Sequence, residues 1–260
     1  LMLTCSIVLY NNDRNILLDS INSFLNTDLD VKLFLIDNSE TDDLEDIIKD
    51  KRVKYFHNPI NPGFGASHNI AIKESIILKS DYHLVLNPDI YFEKGTLDKI
   101  YDFMEDHKTI GHLMPKVLYP DHSFQFLCKT NPTVFDLFVR GFLPDFLKKI
   151  FQKRQDKYEY KKYNFNELIF DIPYLSGCFM FFRTSILEKV GLFDEKMFMY
   201  LEDADITRRF LEISRTVYFP KAIVYHHHNG LTHKKIKYKW ITVKSAIVYF
   251  NKWGWFKNLI

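Results

Sequence analysis

The chain has 260 residues, of which 47% are hydrophobic and 26% charged, a composition typical of a globular protein that buries a sizeable core. A net charge of +2 gives no electrostatic reason to expect a nucleic-acid partner. Three widely spaced cysteines (Cys5, Cys128 and Cys178) argue against a disulfide framework or a thiolate metal site, so we expect free thiols in a reducing cytoplasm. Neither a membrane-spanning apolar run nor a signal-peptide pattern is predicted.

Strands and helices alternate over the first ninety residues. Hydrophobic patterning predicts strands at 3–10, 31–36, 53–57 and 82–86, and helices at 13–26, near 43–49 and at 66–79. Such βαβ units predict a mostly parallel sheet, which binds ligands beyond the carboxyl ends of its strands. Polar clusters occupy these ends at 10–12, 37–39 and 87–89.

The second half of the chain has a less regular pattern. A strongly charged stretch near 140–165 predicts an exposed helix or a mobile insertion. Helical spacing follows at 202–213, and 216–225 has the pattern of a strand with a bend centred on its proline. From residue 232 the chain is predicted to be helical and basic.

Asn87-Pro88-Asp89 places a carboxylate just past a buried strand, in a rigid turn. Mg²⁺ and Mn²⁺ often bind through one or two carboxylates together with phosphate oxygens of a substrate. Asp89 is therefore a candidate metal ligand. The alternative is a turn with no further role, because Asn, Pro and Asp all favour turns.

Two further clusters are candidates for chemistry. Three carboxylates lie within 202–205, where one could act as a general base or all could simply complement a helix dipole. A run of three histidines at 226–228 follows a strand, and adjacent side chains there point in opposite directions. One of them is a plausible metal ligand. The glycines at 63 and 65 form only part of a dinucleotide fingerprint, which argues against a nicotinamide or flavin site.

Eight short segments in a fixed order give these candidates a common context. They lie at 6–11, 36–39, 61–65 with Asn69, 86–90, 176–180, 191–195, 198–205 and 224–226. Together they resemble family 2 glycosyltransferases, and more narrowly the rhamnosyltransferase-like branch that builds bacterial surface polysaccharides. The resemblance implies a GT-A fold: a Rossmann-like α/β domain with a mostly parallel central sheet flanked by helices.

The resemblance also implies a nucleotide-diphosphate-sugar donor, with dTDP-rhamnose favoured over a UDP-hexose. The implied donor-binding residues are Tyr10, Asn11, Asp37, Gly63, Asn69, Asn87 and Asp89. Asn87 stands where the family has the first Asp of its Asp-x-Asp motif, so Asp89 is expected to bind Mg²⁺ or Mn²⁺ directly. His226 is the expected second ligand, with His227 as the alternative.

Inverting transfer is the implied reaction. Asp203 is the expected base that deprotonates the acceptor hydroxyl, and Glu202 is the next candidate. The acceptor side is expected to include Ser176, Gly177, Asp194 and Glu195. The implied acceptor is a growing glycan of the O-antigen or capsule type, carried on a polyprenyl diphosphate.

We predict a catalytic domain at 1–230, with a nucleotide-sugar half at 1–110, an acceptor half at 111–230, and a separate segment at 231–260. This C-terminal segment places Ile236, Trp240, Val243, Ile247 and Phe250 on one face of a basic helix. Such a helix either lies on an anionic membrane or packs on the domain. The expected location is the cytoplasm, at the inner face of the cell membrane.

Two other functions compete with this interpretation. A sugar nucleotidyltransferase would need a glycine-rich phosphate loop directly after the first strand, where this chain has 10–13 without glycine. A non-catalytic glycan-binding relative of the fold would not need Asp89, Asp203 and a histidine near 226.

Overall fold

The structure is a computed structural model, and it describes residues 2–227 and 236–256. The first half contains β1 (Met2–Leu9), α1 (Arg14–Leu25), β2 (Asp30–Asp37), β3 (Val53–His57), α2 (Phe64–Ile77), β4 (Tyr82–Leu86), β5 (Ile90–Tyr91), α3 (Thr96–Asp106) and β6 (Ile110–Leu118). The second half contains β7 (Cys128–Lys129), α4 (Val134–Phe142), α5 (Asp145–Lys148), a 3-10 turn (Lys149–Phe151), α6 (Gln152–Tyr158), β8 (Ile169–Phe170), β9 (Tyr174–Leu175), β10 (Phe179–Arg183), α7 (Thr184–Val190), α8 (Glu202–Ile213), β11 (Arg215–His226) and α9 (Ile236–Trp253).

The central sheet follows the order β3-β2-β1-β4-β10-β6-β11-β5, with β8 also paired to β11. Its first four strands are parallel, as the alternating pattern predicts. The other half is mixed, because β10 runs antiparallel to both neighbours while β6 and β11 are parallel. The carboxyl ends of β1, β2, β3, β4 and β11 therefore meet at one edge of the sheet.

Helices cover both faces of the sheet and bury its apolar side chains. On one face, Leu17 of α1 and Met104 of α3 pack into the main core cluster. On the other face, Ile72 of α2 and Phe210 of α8 pack against the strands. Asp13 caps α1 by accepting hydrogen bonds from two backbone N–H groups, which fixes the start of that helix where the sequence predicts it.

Two local features test the sequence pattern in detail. The predicted helix near 43–49 is wrong, because that stretch forms two successive turns that bury Leu44 and Ile47 in the core. The predicted bend in β11 is confirmed by a register shift between Phe219 and Ile223, around Pro220. A proline has no N–H to donate, so the ladder is interrupted there.

The basic C-terminal segment forms α9, whose second half packs on the domain. Tyr249 and Phe250 are buried, and both Lys252 Nζ and Trp253 Nε1 bind Asp205 Oδ1, at 2.7 and 2.8 Å. The predicted apolar face of this helix is thus buried at Phe250, near its end, and exposed at Ile236 and Trp240, near its start. Among helices of the described ranges, none has the length and apolar character needed to cross a bilayer.

Candidate active site

The carboxyl ends of β1 and β2 are tied together by hydrogen bonds. The Asn11 backbone N–H donates to Ser39 Oγ at 2.9 Å, while the neighbouring Tyr10 side chain is 49% exposed. Asp37 is fully buried, with Oδ1 accepting from Ser39 N–H and Oδ2 accepting from the Tyr55 hydroxyl at 2.7 Å. Tyr55 was not among the predicted site residues. The buried Asp37 carboxylate therefore holds the end of β2 in place through these hydrogen bonds, whereas Tyr10 and Asn11 are exposed at the same edge.

Gly63 lies where two loops approach each other backbone to backbone. Its φ of +102° falls in the region that favours glycine, and a Cβ there would lie 2.2 Å from the carbonyl oxygen of Phe198. That same oxygen accepts a hydrogen bond from Phe64 N–H at 2.8 Å. The loop after β3 is thereby fixed to the loop that leads into α8.

Asn69 is buried and engaged within the protein. Its Oδ1 accepts from Phe193 N–H, and its Nδ2 donates to Phe193 O and to Glu195 Oε1. Asp194 closes the same loop by accepting from Lys196 N–H. Asn69 was predicted to bind the donor, and Asp194 and Glu195 to bind the acceptor. The structure instead brings the three residues together, where their hydrogen bonds link α2 to the loop before α8.

Asp89 and His226 come together at the carboxyl edge of the sheet. β5 follows Asp89 and pairs with the end of β11, so that His226 Nε2 lies 3.3 Å from Asp89 Oδ1. His227 instead donates its backbone N–H to Asp89 O, and its ring lies against Tyr91. The predicted pair of metal ligands is thus adjacent in space, with His226 rather than His227 facing the carboxylate.

Gln125 orients the His226 ring. Its Nε2 donates to the backbone carbonyls of His226 and Leu118, so its Oε1 faces His226 Nδ1 at 3.0 Å. Because Oε1 can only accept, Nδ1 carries the proton donated to Gln125, and Nε2 is the ring nitrogen that faces Asp89. A carboxylate oxygen and an imidazole nitrogen 3.3 Å apart are placed to ligate one cation between them.

The donor set has the size expected for Mg²⁺ or Mn²⁺ with a phosphate substrate. No group of three or more His, Cys, Asp or Glu side chains that could hold a metal is found in the described part of the chain. Hard cations commonly take one or two protein ligands and complete their shell with phosphate and water. Asp89 and His226 fit this arrangement.

The segment 176–178 connects the Asp89 turn to Asp203. Cys178 O accepts from Asn87 N–H, and Gly177 N–H donates to Asp203 Oδ2, both at 2.9 Å. Burial raises the pKa of the Cys178 thiol to about 12, and the negative charges of both Asp89 and Asp203 contribute to that rise. The segment 176–178 therefore lies between the candidate metal site and the candidate base and is hydrogen-bonded to both regions.

Asp203 and its neighbour Glu202 have different environments. Asp203 accepts from the N–H groups of Gly177 and Ala204, and burial raises the pKa of its carboxyl while the positive charge of Lys129 opposes that rise. For Glu202, burial and then the charge of Asp203 raise the pKa well above its usual range. The negative charge of Asp203 thus disfavours ionisation of Glu202, which makes Asp203 the stronger candidate for the base.

Two residues that sequence reasoning missed surround Asp203. Tyr174 is hydrogen-bonded to Asp203, and the Lys129 ammonium lies 4.6 Å from the centre of the Tyr174 ring. Burial and the charge of Arg140 lower the pKa of Lys129 to about 8. Lys129 and Tyr174 are paired across β7 and β9. Neither two-residue strand has a periodic signal that could have revealed this contact.

Comparison with known proteins shows the family of this chain. Residues 4–191 match the family model "Glycosyl transferase family 2". The N-acetylglucosaminyl-diphospho-decaprenol L-rhamnosyltransferase of Mycobacterium tuberculosis is 27% identical over 214 residues, covering 78% of this chain and 68% of that protein. Rhamnosyltransferase WbbL of Escherichia coli K12 is 29% identical over 190 residues, covering 68% and 66%.

Solved structures share the fold at low identity. GalNAc-T7 with UDP, GalNAc and Mn²⁺ superposes with a TM-score of 0.63 at 15% identity, over 86% of this chain but only 43% of that one. S. aureus TarS 1-349 superposes with a TM-score of 0.59 at 15% identity, over 96% and 72%. These likenesses confirm the predicted GT-A arrangement of a central sheet flanked by helices. Because the family model spans most of its length, the chain belongs to glycosyl transferase family 2.

Proposed function

We propose that this protein is a metal-dependent inverting glycosyltransferase that moves a sugar from a nucleotide-diphosphate sugar to a growing bacterial surface glycan. The observation that carries the proposal is the segment 176–178, which hydrogen-bonds the Asp89 turn on one side and Asp203 on the other. The proposed reaction uses a cation beside the leaving diphosphate and a base for the incoming hydroxyl, and one segment contacts the candidates for both roles.

Asp203 is the residue that would take the proton. The acceptor hydroxyl gives its proton to the Asp203 carboxylate, its oxygen forms a bond to the anomeric carbon, and the nucleoside diphosphate leaves from the opposite face with the electron pair of the broken C–O bond. Burial raises the pKa of Asp203, which makes its carboxylate a stronger base than an exposed one. Gly177 and Ala204 fix its orientation.

Asp89 and His226 would hold Mg²⁺ or Mn²⁺ beside the diphosphate of the donor. When bound, the cation supplies positive charge that offsets the charge developing on the leaving group. Gln125 keeps the His226 ring in the tautomer that can ligate. Tyr10 and Asn11, at the open carboxyl edge of the sheet, would contact the nucleotide.

The names of the relatives support a choice of donor and acceptor. Both named relatives are rhamnosyltransferases, so dTDP-rhamnose is the favoured donor and UDP-hexoses are the alternatives. The name of the mycobacterial relative includes a sugar on diphospho-decaprenol. We therefore propose a polyprenyl-diphosphate-linked acceptor, of the O-antigen or capsule type, used at the inner face of the cell membrane.

The competing functions make different demands on the first strand and helix. A nucleotidyltransferase needs open backbone N–H groups there for phosphate. Here the Asp13 carboxylate already accepts from Asn15 N–H and Ile16 N–H at the start of α1. A negatively charged cap in that position would repel a phosphate, which favours the transferase.

A donor screen with Mn²⁺ tests the proposal. The chain would be incubated with dTDP-rhamnose and UDP-hexoses, and both the melting temperature and release of nucleoside diphosphate would be measured. We expect one donor to raise the melting temperature only with Mn²⁺ and to be slowly hydrolysed, because a ligand that binds the folded state stabilises it. Asp89→Ala should abolish both effects. Binding without any hydrolysis would indicate a non-catalytic module, and full Mn²⁺-dependent activity of Asp89→Ala would refute the metal site.

A further inference from the structure

Helix α4 has an unusual distribution of polar and apolar residues. Its inward side contains Asp136, which is buried and paired with Arg154 at 2.6 Å. Its outward side exposes Phe138 and Phe142, whose rings stack on each other at 6.1 Å. The burial of Asp136 is explained by its capping box with Thr133, and Val139 is the buried apolar residue of the helix, so both phenylalanine rings lie outside its inward side. The exposed rings therefore need an explanation other than packing within the domain.

The exposed apolar residues continue beyond α4 and onto α9. Four large side chains have exposed fractions of 64–74%: Phe146, Ile150, Ile236 and Trp240. The two parts adjoin, because Lys239 Nζ of α9 lies 5.6 Å from the centre of the Phe142 ring. We call this surface, formed by residues 134–151 and 236–240, the apolar–basic face. A contiguous exposed apolar patch of this kind marks an interaction site.

The apolar–basic face is fixed to the domain and carries positive charge. Lys252 and Trp253 of α9 are anchored to Asp205, and Leu137 of α4 packs with the buried Tyr249 and Phe250 of α9. α9 has four lysines and no acidic residue, while 146–157 has five basic residues and one acidic. The segments that expose the bulky apolar groups are thus also rich in basic residues.

This combination identifies the partner by its chemistry. Aromatic and aliphatic side chains enter the acyl boundary of a bilayer, while lysines around them bind anionic headgroups. A nucleic acid would bind the lysines through its phosphates but would leave the exposed apolar side chains without an apolar partner. We infer that the apolar–basic face docks on an anionic lipid bilayer and holds the enzyme there as a peripheral protein.

Docking by this face would place the candidate base near the membrane. Leu137 of α4 packs in one cluster with Tyr174, and Tyr174 is hydrogen-bonded to Asp203. The inference about orientation rests on the proposed lipid-linked acceptor, whose sugar would reach Asp203 from the bilayer surface. The docking itself does not depend on the transferase activity.

Vesicle co-sedimentation tests the docking. The chain would be mixed with phosphatidylcholine vesicles with or without phosphatidylglycerol, and we expect it to sediment only with the anionic vesicles and to be released by salt. A double variant, Phe146→Ser with Ile150→Ser, should lower binding at least tenfold. Lys149→Glu should lower it about fivefold or more, since a lysine near an anionic surface is worth about 1 kcal/mol.

Matched controls separate docking from a general loss of apolar surface. Ile77 and Ile213 have exposed fractions of 73% and 51% and lie outside the apolar–basic face, so Ile77→Ser with Ile213→Ser should bind vesicles like the unchanged chain. Equal losses in both double variants, or no sedimentation of the unchanged chain, would overturn the inference. So would a dimer in light scattering that the Phe146/Ile150 variant abolishes, because a second copy would then cover the face.

Donor hydrolysis, measured without lipid, keeps the two proposals distinguishable. The Phe146/Ile150 variant should release nucleoside diphosphate at the unchanged rate. Lipid binding without hydrolysis by the unchanged chain would count against the transferase and leave the docking standing. Hydrolysis without lipid binding would count against the docking and leave the transferase standing.

Discussion

Replacing Asp203 by Asn separates its chemical role from its structural one. General base catalysis contributes about 10²–10⁴-fold, which corresponds to about 2.7–5.4 kcal/mol of transition-state stabilisation. The carboxylate oxygens accept from Gly177 N–H and Ala204 N–H, and an amide has only one oxygen to offer. One N–H therefore loses its acceptor, at a cost of about 1–3 kcal/mol in the free energy of unfolding. Removing a buried negative charge offsets part of that cost.

The assay compares Asp203→Asn with Glu202→Gln. Burial and the charge of Asp203 raise the pKa of Glu202, which favours its neutral form, and Gln is the neutral replacement of the same size. We expect kcat of Asp203→Asn to fall at least about 100-fold, and that of Glu202→Gln to stay within about tenfold of the unchanged chain. Melting curves would verify that both variants are folded. A larger loss in Glu202→Gln than in Asp203→Asn would refute the assignment of the base.

Three further predictions address the surroundings of the site and the core. Lys129→Met should shift the acidic limb of the pH profile of kcat/KM to higher pH, because the positive charge that opposes the raised pKa of Asp203 is lost, whereas Lys129→Arg should not. Gln125→Leu should weaken Mn²⁺ binding about 10–100-fold in calorimetry, because the His226 ring loses its orienting hydrogen bond; unchanged affinity would contradict this. The free energy of unfolding should fall as the pH is lowered below about 6.5. In that range histidines of the unfolded chain take up protons, whereas the buried histidines of the folded chain stay neutral. Each such histidine contributes a slope of at most about 1.4 kcal/mol per pH unit. Burial lowers the pKa of three such histidines: His68, His83 and His112. Denaturant melts of His112→Leu should show a slope that is lower by up to about 1.4 kcal/mol per pH unit, and an unchanged slope would contradict the mechanism.

The regular elements of the first half were predictable because local signals agree there. The strands at 53–57 and 82–86 and the cap of α1 at Asp13 lie where the pattern predicts them. The failure at 43–49 has a physical reason, since aspartate is a poor helix former and competes for backbone N–H groups. Two turns in that stretch form backbone hydrogen bonds and still bury Leu44 and Ile47.

The candidate site was predictable where its residues follow strands and was not where they come from short irregular pieces. Asp89, Asp203 and His226 belong to recognisable segments, and the structure brings the first and last into contact. Gln125 and Lys129 lie in a stretch whose position depends on pairing with residues 45 or more positions away. Local periodicity contains no information about such pairings.

The direction of β10 explains how the candidate metal site and the candidate base come to contact one segment. Because β10 runs antiparallel to β4, Phe179 at its start is paired with Leu86 at the end of β4. The residues just before β10 are therefore placed beside the Asp89 turn, and there Gly177 meets the first turn of α8. A parallel β10 would have carried 176–178 to the opposite edge of the sheet, away from the carboxyl ends. The antiparallel direction of β10 thus brings the two parts of the candidate site together.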